Sequence, residues 1–420
     1  MKLRNILQAI KQRFHEIPEK DARAKTGPME FIGALVTSLA KDGRIRSLAN
    51  LRRSVAALTE QTMDRGAFWE RLAAKRLRTL LMFLATQLIK ELGGYCGISR
   101  SLLASLQVKA VYVLDSTSST LPKGAKKIFP APRKNVVPAA IKFHCLFDLL
   151  GGMVRWFDLT ESKMHDRKGF PPLELLKGCL IIFDLGYWDY CLLAALKDQG
   201  TFFLSRIKSN AVITVVEVVR GLPKDRFEGR TLFGRRMPKK KWRIIEVIGE
   251  FQHYGKSVLQ TRVIGFWNPV EKRYHWYVTN LTLAAHIIYP LYRLRWQLEL
   301  VFKAAKSSLA LADQPSANEN IIRCLTLVSL VSQLIGFALG KKVVSLMEPE
   351  KQTAFSFQRS AMLLTHIGQN FFRFLMNRGA RFLDQLIRQI TALGLELIDP
   401  NHQHRETSLQ RLSRLIGEAS

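Results

Sequence analysis

Four polar residues, Tyr292, Arg295, Glu299 and Lys306, recur at an unusual spacing in the stretch YRLRWQLELVFKAAK. An α-helix turns by roughly 100° per residue, so a continuous helix would place all four on one stripe roughly 60° wide. The apolar residues of the stretch fall on a neighbouring arc, as in an amphipathic helix docked on a core. A carboxylate among cations and a phenol could bind a metal ion beside a phosphodiester. A solvated helix with ion pairs four residues apart would show the same spacing.

Two further carboxylates follow short apolar runs that predict β-strands. Asp115 ends the run Ala110–Leu114, and Asp184 ends the run Cys179–Phe183. Either aspartate alone could be a turn or capping residue. If the two strands lie side by side, however, the carboxylates repel each other, and a divalent cation relieves that repulsion. Taken together with Glu299, the two aspartates favour a metal site.

The composition points to an anionic partner. The chain has 420 residues, of which 64 are Lys or Arg and 34 are Asp or Glu, giving a formal net charge of +30. Nucleic acid is the first candidate for a partner of such a protein, although a membrane surface or a ribosome would also balance the charge. The five cysteines form no CxxC pair, which favours a reducing compartment without a zinc site. The apolar run Leu325–Leu339 contains polar residues and predicts a buried helix rather than a membrane span.

The elements that must position these residues divide the chain into five segments. We predict a helical region, a first α/β segment, a β-rich insertion, a second α/β segment with the Tyr292 stretch, and a helical C-terminal region. Their boundaries are residues 1–105, 106–210, 211–274, 275–345 and 346–420. In the second segment a hairpin is predicted, with two strands joined by Gly151-Gly152.

The N-terminal segment is predicted to contain two helices across a tight turn, at Leu48–Gln61 and Phe68–Leu92. The second helix carries basic residues, Arg71 and Arg78 among them. Such a pair could be a helix-turn-helix that presents a basic face to a DNA groove. A plain helical bundle with charged outer faces would give the same pattern, so both interpretations remain open.

Together these motifs resemble the bacterial DDE transposases of the insertion-sequence-four type. The hallmark of that family is Y-x2-R-x3-E-x6-K, which the Tyr292 stretch fits without a gap. The first family acid is followed by small hydroxyl residues, as in Leu114–Thr117, and the second resembles D-x-G-Y, as in Asp184–Tyr187. The resemblance covers about residues 30 to 340, and it is most specific in the signature stretch.

The resemblance implies an RNase H-like mixed sheet flanked by helices and interrupted, before the catalytic glutamate, by an all-β insertion. It also implies that Asp115, Asp184 and Glu299 are the catalytic and metal-binding residues. They would hold two Mg²⁺ ions, with Mn²⁺ as a substitute. In a two-metal site the ions lie roughly 3.5–4 Å apart, activate the attacking oxygen and stabilise the leaving oxygen.

The resemblance also implies contacts with DNA, with residues 1–105 as a helical DNA-end-binding region and residues 106–210 and 275–345 as the two parts of the catalytic core. Three signature residues would bind phosphates of the transposon end, and an aromatic residue would stack near a flipped base in a hairpin intermediate. Basic residues nearby are further candidates for backbone contacts. The predicted DNA-binding residues are Tyr292, Arg295, Lys306, Lys303, Trp296, Trp276, Arg206 and Lys208.

We therefore predict a transposase that binds terminal inverted repeats, cleaves the element ends and transfers the 3′ ends into target DNA. It would act on double-stranded DNA as a homodimer in a synaptic complex, without a membrane partner, in the bacterial cytoplasm at the nucleoid. Two alternatives belong to different classes. One is a Mg²⁺-dependent nuclease that cuts without strand transfer, and the other is a DNA-binding relative that has lost catalysis.

Overall fold

The computed structural model describes most of the chain, in segments interrupted by short gaps. The described residues are 2–18, 25–42, 47–93, 100–132, 135–233, 243–253, 256–308, 314–348, 351, 355–377, 379–400 and 408–417.

Most of the described α-helices lie in the N- and C-terminal parts of the chain, and two short ones lie among the strands. In chain order they are α1 (Leu3–His15), α2 (Pro28–Asp42), α3 (Leu48–Thr59), α4 (Arg65–Ala73), α5 (Lys75–Gly93), α6 (Arg100–Leu106), α7 (Tyr190–Asp198), α8 (Lys224–Phe227), α9 (Ala285–Arg293), α10 (Trp296–Ser308), α11 (Glu319–Val344), α12 (Phe357–Ala361), α13 (Leu363–Met376), α14 (Ala380–Ala392) and α15 (Ser408–Gly417).

The strands all belong to one mixed sheet. They are β1 (Val111–Thr120), β2 (Ala140–Asp148), β3 (Met153–Glu161), β4 (Leu180–Phe183), β5 (Phe202–Arg206), β6 (Ile213–Arg220), β7 (Ile244–His253), β8 (Lys256–Asn268) and β9 (Arg273–Thr279). Their order across the sheet is β3-β2-β1-β4-β5-β9-β8-β7-β6.

The first five strands have the RNase H-like topology. β1, β2 and β3 form an antiparallel meander, and β4 and β5 continue from β1 in parallel. The predicted hairpin is present, since Gly152 adopts a φ of 67° between β2 and β3. Helix α7 connects β4 to β5, as a parallel pair requires. These observations confirm the predicted fold class.

The β-rich insertion extends the core sheet. β9 pairs antiparallel with β5, with Leu204 opposite Thr279, and β8, β7 and β6 follow as an antiparallel series. The only helix described within it is the four-residue α8. The far edge of the insertion is therefore joined to β4 and β1 by continuous backbone pairing.

Apolar side chains cover both faces of the sheet. On one face lie the N- and C-terminal helices with α9, α10 and the central helix α11, and on the other lie α7 and short turns. Helix α11 is long and apolar enough to cross a membrane, yet almost all of it is buried inside the protein. It packs against α5 and α2 and is the core helix predicted around Leu325–Leu339.

The N-terminal helices differ from the prediction in one respect. The helix predicted at Phe68–Leu92 is broken at Ala74, which adopts an extended conformation between α4 and α5. Arg71 is drawn into the bundle, because it donates a hydrogen bond to the Thr26 carbonyl at 2.8 Å and its guanidinium lies 4.2 Å from the Phe31 ring centre. Arg71 is thus engaged in packing rather than presented to solvent.

Candidate active site

The register of two parallel strands brings the two aspartates to the same level. β1 and β4 pair up to Leu114 and Phe183, and each aspartate is the next residue. We predicted that the strand ends at Asp115, but β1 continues to Thr120 through pairing with β2 alone. The parallel partner β4 ends at Phe183, so the strands part at the aspartates. Local sequence could not show this, since a run of Ser and Thr is typical of a turn.

The third acid, Glu299, lies near the beginning of helix α10. The predicted continuous helix over Tyr292–Lys306 is broken at Leu294–Arg295, between α9 and α10. The amides of Leu294, Arg295 and Leu298 bond to carbonyls three residues earlier, which is a tighter turn than an α-helix. Glu299 consequently lies in the first turn of α10, where the helix dipole stabilises a negative charge.

Buried hydrogen bonds fix the chain that leads into α9. The side chain of Asn280 exchanges hydrogen bonds with the β5 backbone, accepting from the Phe203 amide at 2.8 Å and donating to the Thr201 carbonyl at 2.9 Å. Arg262 of β8 donates to the carbonyls of Leu281 and Leu283 and pairs with Glu246 at 2.6 Å. The sheet therefore sets where α9 begins.

Arg295 bridges two of the three carboxylates. Its Nη1 pairs with Asp115 Oδ2, and its Nη2 lies 3.2 Å from Glu299 Oε1. The Arg295 and Asp115 side chains are only 13% and 15% exposed, so the ion pair is largely shielded from water. The Arg295 Nε–H is buried and finds no acceptor in the described part of the chain. One guanidinium therefore joins residues 115 and 299.

The third carboxylate is contacted by Tyr292. The Tyr292 hydroxyl donates to Asp184 Oδ1 at 3.4 Å, and the Arg295 guanidinium lies 5.9 Å from the Tyr292 ring centre. Burial raises the pKa of Tyr292 to about 12, so the phenol stays protonated at neutral pH. The four signature positions thus do not share a single helical stripe, but Tyr292, Arg295 and Glu299 still converge on the two aspartates.

All three acids line one open cleft of about 610 Å³. Its other lining residues are Ser116, Thr117, Arg295, Phe302, Lys303 and Lys306. Burial raises the pKa of Asp115 to about 6; Arg295 and the Ser116 amide oppose this rise, and the charges of Asp184 and Glu299 add to it. The charges of Asp184 and Glu299 therefore act on Asp115, as expected of a cluster of carboxylates that binds cations.

The chemistry of this donor set fits a hard divalent cation. Carboxylate oxygens are the ligands that Mg²⁺ prefers, and the cleft is open enough to leave positions for water and phosphate. Among the described residues no three carboxylate, histidine or cysteine side chains are already close enough to form a closed metal cage. The acids share a cleft, and Arg295 now supplies the positive charge between two of them.

Three of the remaining predicted DNA-binding residues lie at or near the cleft. Lys303 is exposed at its rim, and Lys306 is half-buried, so burial lowers the pKa of its ammonium group. Arg206 at the end of β5 is close enough for its charge to lower the pKa of Tyr292 against the effect of burial.

The other three predicted DNA-binding residues lie outside the cleft lining. Trp296 is 62% exposed at the start of α10. Trp276 packs over Gly265 in an aromatic row, with its ring centre 5.5 Å from that of Phe233. Lys208 donates to the Trp188 carbonyl at 3.4 Å. Exposure thus leaves Trp296 accessible to a partner, whereas Trp276 is largely occupied by packing.

Sequence reasoning missed a polar cluster behind the first acid. Ser116 Oγ donates to Asp166 Oδ1 at 3.1 Å, and Lys142 Nζ lies 2.8 Å from the same oxygen. Nearby, His144 Nδ1 is 2.8 Å from the Tyr187 hydroxyl. Tyr187 belongs to the D-x-G-Y motif, but Asp166 and Lys142 belong to no motif. Only the three-dimensional pairing of β1 and β2 brings them to the site.

An RNase H-like sheet with three carboxylates in one cleft is typical of DDE enzymes. A family model described as "Transposase DDE domain" matches residues 107–332, more than half of the chain. The chain therefore belongs to this family of transposases. The match confirms the DDE transposase resemblance, while the insertion-sequence-four type remains a prediction.

Curated relatives agree with this assignment. The chain is 25% identical over 278 residues to the transposase for insertion sequence element IS1151 of Clostridium perfringens, covering 56% of this chain and 57% of that protein. It is 22% identical over 371 residues to the transposase for IS231F of Bacillus thuringiensis subsp. israelensis, covering 77% and 75%. The chain thus spans little more than half of the first relative and three quarters of the second.

A solved structure of a piggyBac transposase synaptic complex with hairpin DNA is similar over 92% of this chain and 82% of its own. The TM-score is 0.41 and the identity 13%, values too low to transfer a function.

Proposed function

We propose that this protein is an active transposase that binds the terminal inverted repeats of its element, cleaves the ends and joins the 3′ ends to target DNA. The observation that carries the proposal is the convergence of Asp115, Asp184 and Glu299 on one cleft, although they lie far apart in the sequence. The family assignment and the formal charge of +30 support a DNA substrate.

In this proposal Asp115, Asp184 and Glu299 hold the divalent ions. When bound, Mg²⁺ or Mn²⁺ activates the attacking water or 3′-hydroxyl and stabilises the leaving oxygen. Tyr292 keeps Asp184 oriented through its hydroxyl. The ion pairs of Arg295 favour a role in orienting Asp115 and Glu299, in addition to the phosphate contact that the signature implies.

The DNA would lie across the rim of the cleft. Lys303 and Lys306 project from α10 at successive turns of the cleft side, where they can bind phosphate oxygens of the transposon end. Trp296, exposed at the start of α10, is the better placed of the two predicted stacking residues. We further propose that the N-terminal helices bind the end DNA and that two copies assemble on paired ends.

The test is an incubation of the purified protein with end DNA, Mg²⁺ and a plasmid target, followed by separation of cleaved and joined products. We expect Glu299→Gln to reduce cleavage roughly 10³-fold, because losing a metal ligand costs several kcal/mol of transition-state stabilisation. Glu271→Gln, on an exposed turn of the insertion, is the control and should cleave normally. Undiminished cleavage by Glu299→Gln would overturn the assignment of the active site.

The same reaction separates the alternatives. Cleaved ends without joined products would support a nuclease that lacks strand transfer. Binding of end DNA without cleavage, at Mg²⁺ or Mn²⁺ concentrations that saturate related enzymes, would support an inactive DNA-binding relative.

A further inference from the structure

A short turn lies against the residues that follow both catalytic aspartates. This 3₁₀ turn, Asp166–Gly169, is connected to β3 and packs on the turn Leu185–Tyr187 that follows Asp184. Its first residue, Asp166, contacts Ser116 on one side and Gly186 on the other. Asp166 therefore contacts both the residue that follows Asp115 and the turn that follows Asp184.

The contact with the first acid passes through Ser116. Asp166 Oδ1 accepts the Ser116 hydroxyl at 3.1 Å, and the Ser116 amide donates to Asp115 Oδ1 at 2.8 Å. Ser116 also forms a side-chain hydrogen bond with the Tyr187 hydroxyl, and this interaction lowers the pKa of Tyr187 against the dominant effect of burial. A shift of Ser116 would therefore move the hydrogen bond that orients the Asp115 carboxylate.

The contact with the second acid passes through Gly186. A Cβ atom built on Gly186 would collide with Asp166 Oδ2, so only glycine allows the carboxylate to lie so close to this turn. At the other end of the 3₁₀ turn, a Cβ on Gly169 would come within 2.5 Å of the His144 ring. The two glycines therefore allow the 3₁₀ turn Asp166–Gly169 to pack against the His144 ring of β2 and, at the same time, against the turn that follows Asp184.

Lys142 fixes Asp166 in this position. Its Nζ donates to Asp166 Oδ1 at 2.8 Å and to the Met164 carbonyl at 2.7 Å, and its side chain is only 11% exposed. A shielded ion pair with a second hydrogen bond holds its geometry better than an exposed one. Lys142, Asp166 and Ser116 thus form a connected chain of hydrogen bonds from β2 to the catalytic strand.

We propose that Asp166, held by Lys142, is a positioning residue that fixes the spacing of Asp115 and Asp184 for divalent metal binding. This inference rests on the proposed function, because it concerns the same carboxylates. Mg²⁺ demands near-ideal octahedral geometry, so its affinity depends on groups that orient the ligands. Substituting such outer groups typically costs 10–100-fold in metal affinity or activity.

The experiment measures Mn²⁺ binding directly, by electron paramagnetic resonance titration of the full-length protein, together with the Mg²⁺ dependence of cleavage. We expect Asp166→Ala to raise the half-saturating Mn²⁺ concentration by about 10-fold or more. Cleavage should recover substantially at saturating Mg²⁺, since Asp166 is not one of the residues that line the cleft. Asp166→Asn should show a smaller shift, because its amide oxygen can still accept the Ser116 hydroxyl.

Asp158→Asn is the matched control. Asp158 lies opposite His144 on the neighbouring strand, and its charge acts on the same histidine, but its hydrogen bond goes to the Leu159 amide. It should bind Mn²⁺ as the wild type does. If Asp166→Ala does not fold, Asp166→Asn and Ser116→Ala carry the test, and Ser116→Ala should shift the Mn²⁺ midpoint several-fold in the same direction.

A merely structural role predicts a different result, in which the variants unfold more readily but keep the Mn²⁺ midpoint of the wild type. Midpoints within twofold of the wild type for Asp166→Ala and Ser116→Ala, or for Asp166→Asn and Ser116→Ala where Asp166→Ala does not fold, would overturn the positioning role while leaving the proposed function intact. Failure of the proposed function is distinguishable, because the wild type would then bind no Mn²⁺, or Asp115→Asn would bind it equally well. That result would remove both proposals.

Discussion

The guanidinium of Arg295 lies between the carboxylates of Asp115 and Glu299, which would otherwise repel each other. Both ion pairs are formed by one side chain, and the pair with Asp115 is largely buried. Removing one partner of a buried ion pair leaves an uncompensated charge, which is far more costly than losing a surface pair. At the scale of single residues, Arg295 is therefore important for stability, in addition to the DNA contact that we propose for it.

We predict that Arg295→Ala lowers the free energy of unfolding by about 3 kcal/mol at pH 7, because Asp115 loses its cation in a buried position. Urea denaturation followed by circular dichroism would measure the change. Arg293→Ala removes an exposed arginine two residues earlier and should change the unfolding free energy by less than about 0.5 kcal/mol. Equal effects of the two substitutions would contradict the bridging role.

A second residue-scale prediction concerns His144, whose side chain is fully buried between Tyr187 and Thr160. Burial lowers the pKa of His144 from 6.5 to about 4, with opposing contributions from Asp166 and Asp158 and a supporting one from Lys142. The folded protein holds this histidine neutral, while the unfolded chain protonates it below pH 6.5. Its contribution to stability is thus complete above pH 6.5 and is lost as the pH falls towards 4.

From this shift we expect the unfolding free energy to fall by about 2 kcal/mol between pH 7 and pH 5 on account of His144. The measurement is urea denaturation at both pH values for the wild type and His144→Gln, which cannot titrate. The difference between the two proteins should shrink by that amount at pH 5, since other titrating groups are common to both. A pH-independent difference would show that His144 is not held neutral.

At the scale of elements, the position of α9 depends on the strand that precedes it and on Arg262. This arginine ties two carbonyls of the connecting segment to β8, and it pairs with Glu246 of β7. Helix α9 carries Tyr292 and leads directly into the turn that bears Arg295. The insertion therefore contributes to the geometry of the cleft, although none of its described residues line it.

We predict that Arg262→Met destabilises the protein by about 3 kcal/mol, because two carbonyls and a shielded carboxylate lose their partner. It should also lower cleavage of end DNA at saturating Mg²⁺, since α9 is no longer fixed. Thermal unfolding and the cleavage assay measure the two effects. Arg273→Met, which breaks an exposed ion pair on the same insertion, is the control and should leave both nearly unchanged.

The sequence predicted the elements whose formation depends on neighbouring residues, and it missed the features that depend on contacts between distant residues. The strands before Asp115 and Asp184 were predictable, because apolar runs of that length form buried strands. The break at Leu294–Arg295 was not, since both residues favour helix and the apolar period continues across it. Asp166 could not be found either, because its partners Ser116 and Lys142 are brought to it only by the pairing of distant strands.

At the scale of the whole molecule, the excess of positive charge governs encounters with DNA. A formal charge of +30 gives a large electrostatic, sequence-independent contribution to affinity. Neutralising phosphates releases condensed counterions, so the affinity falls steeply with salt. The sequence alone is sufficient to give this excess of positive charge, because the charge depends on composition rather than on fold.

We predict that the affinity for end DNA falls by about 10³-fold or more between 50 mM and 200 mM salt, as for proteins that make several phosphate contacts. Fluorescence anisotropy titrations at several salt concentrations would measure the slope. Lys303→Ala should reduce that slope by about 1, as expected for the loss of one phosphate contact. A slope unchanged by Lys303→Ala would place Lys303 away from the bound backbone.

The two aspartates and the glutamate are separated along the chain by the whole insertion, whose described strands pair with the core through β9. During synthesis, the ribosome releases Asp115 and Asp184 well before Glu299. At ordinary rates of translation the interval is roughly 10 s. Under the proposed function, a growing polypeptide therefore carries an incomplete set of ligands until its last third emerges, and we expect nascent chains not to cleave the genome that encodes them.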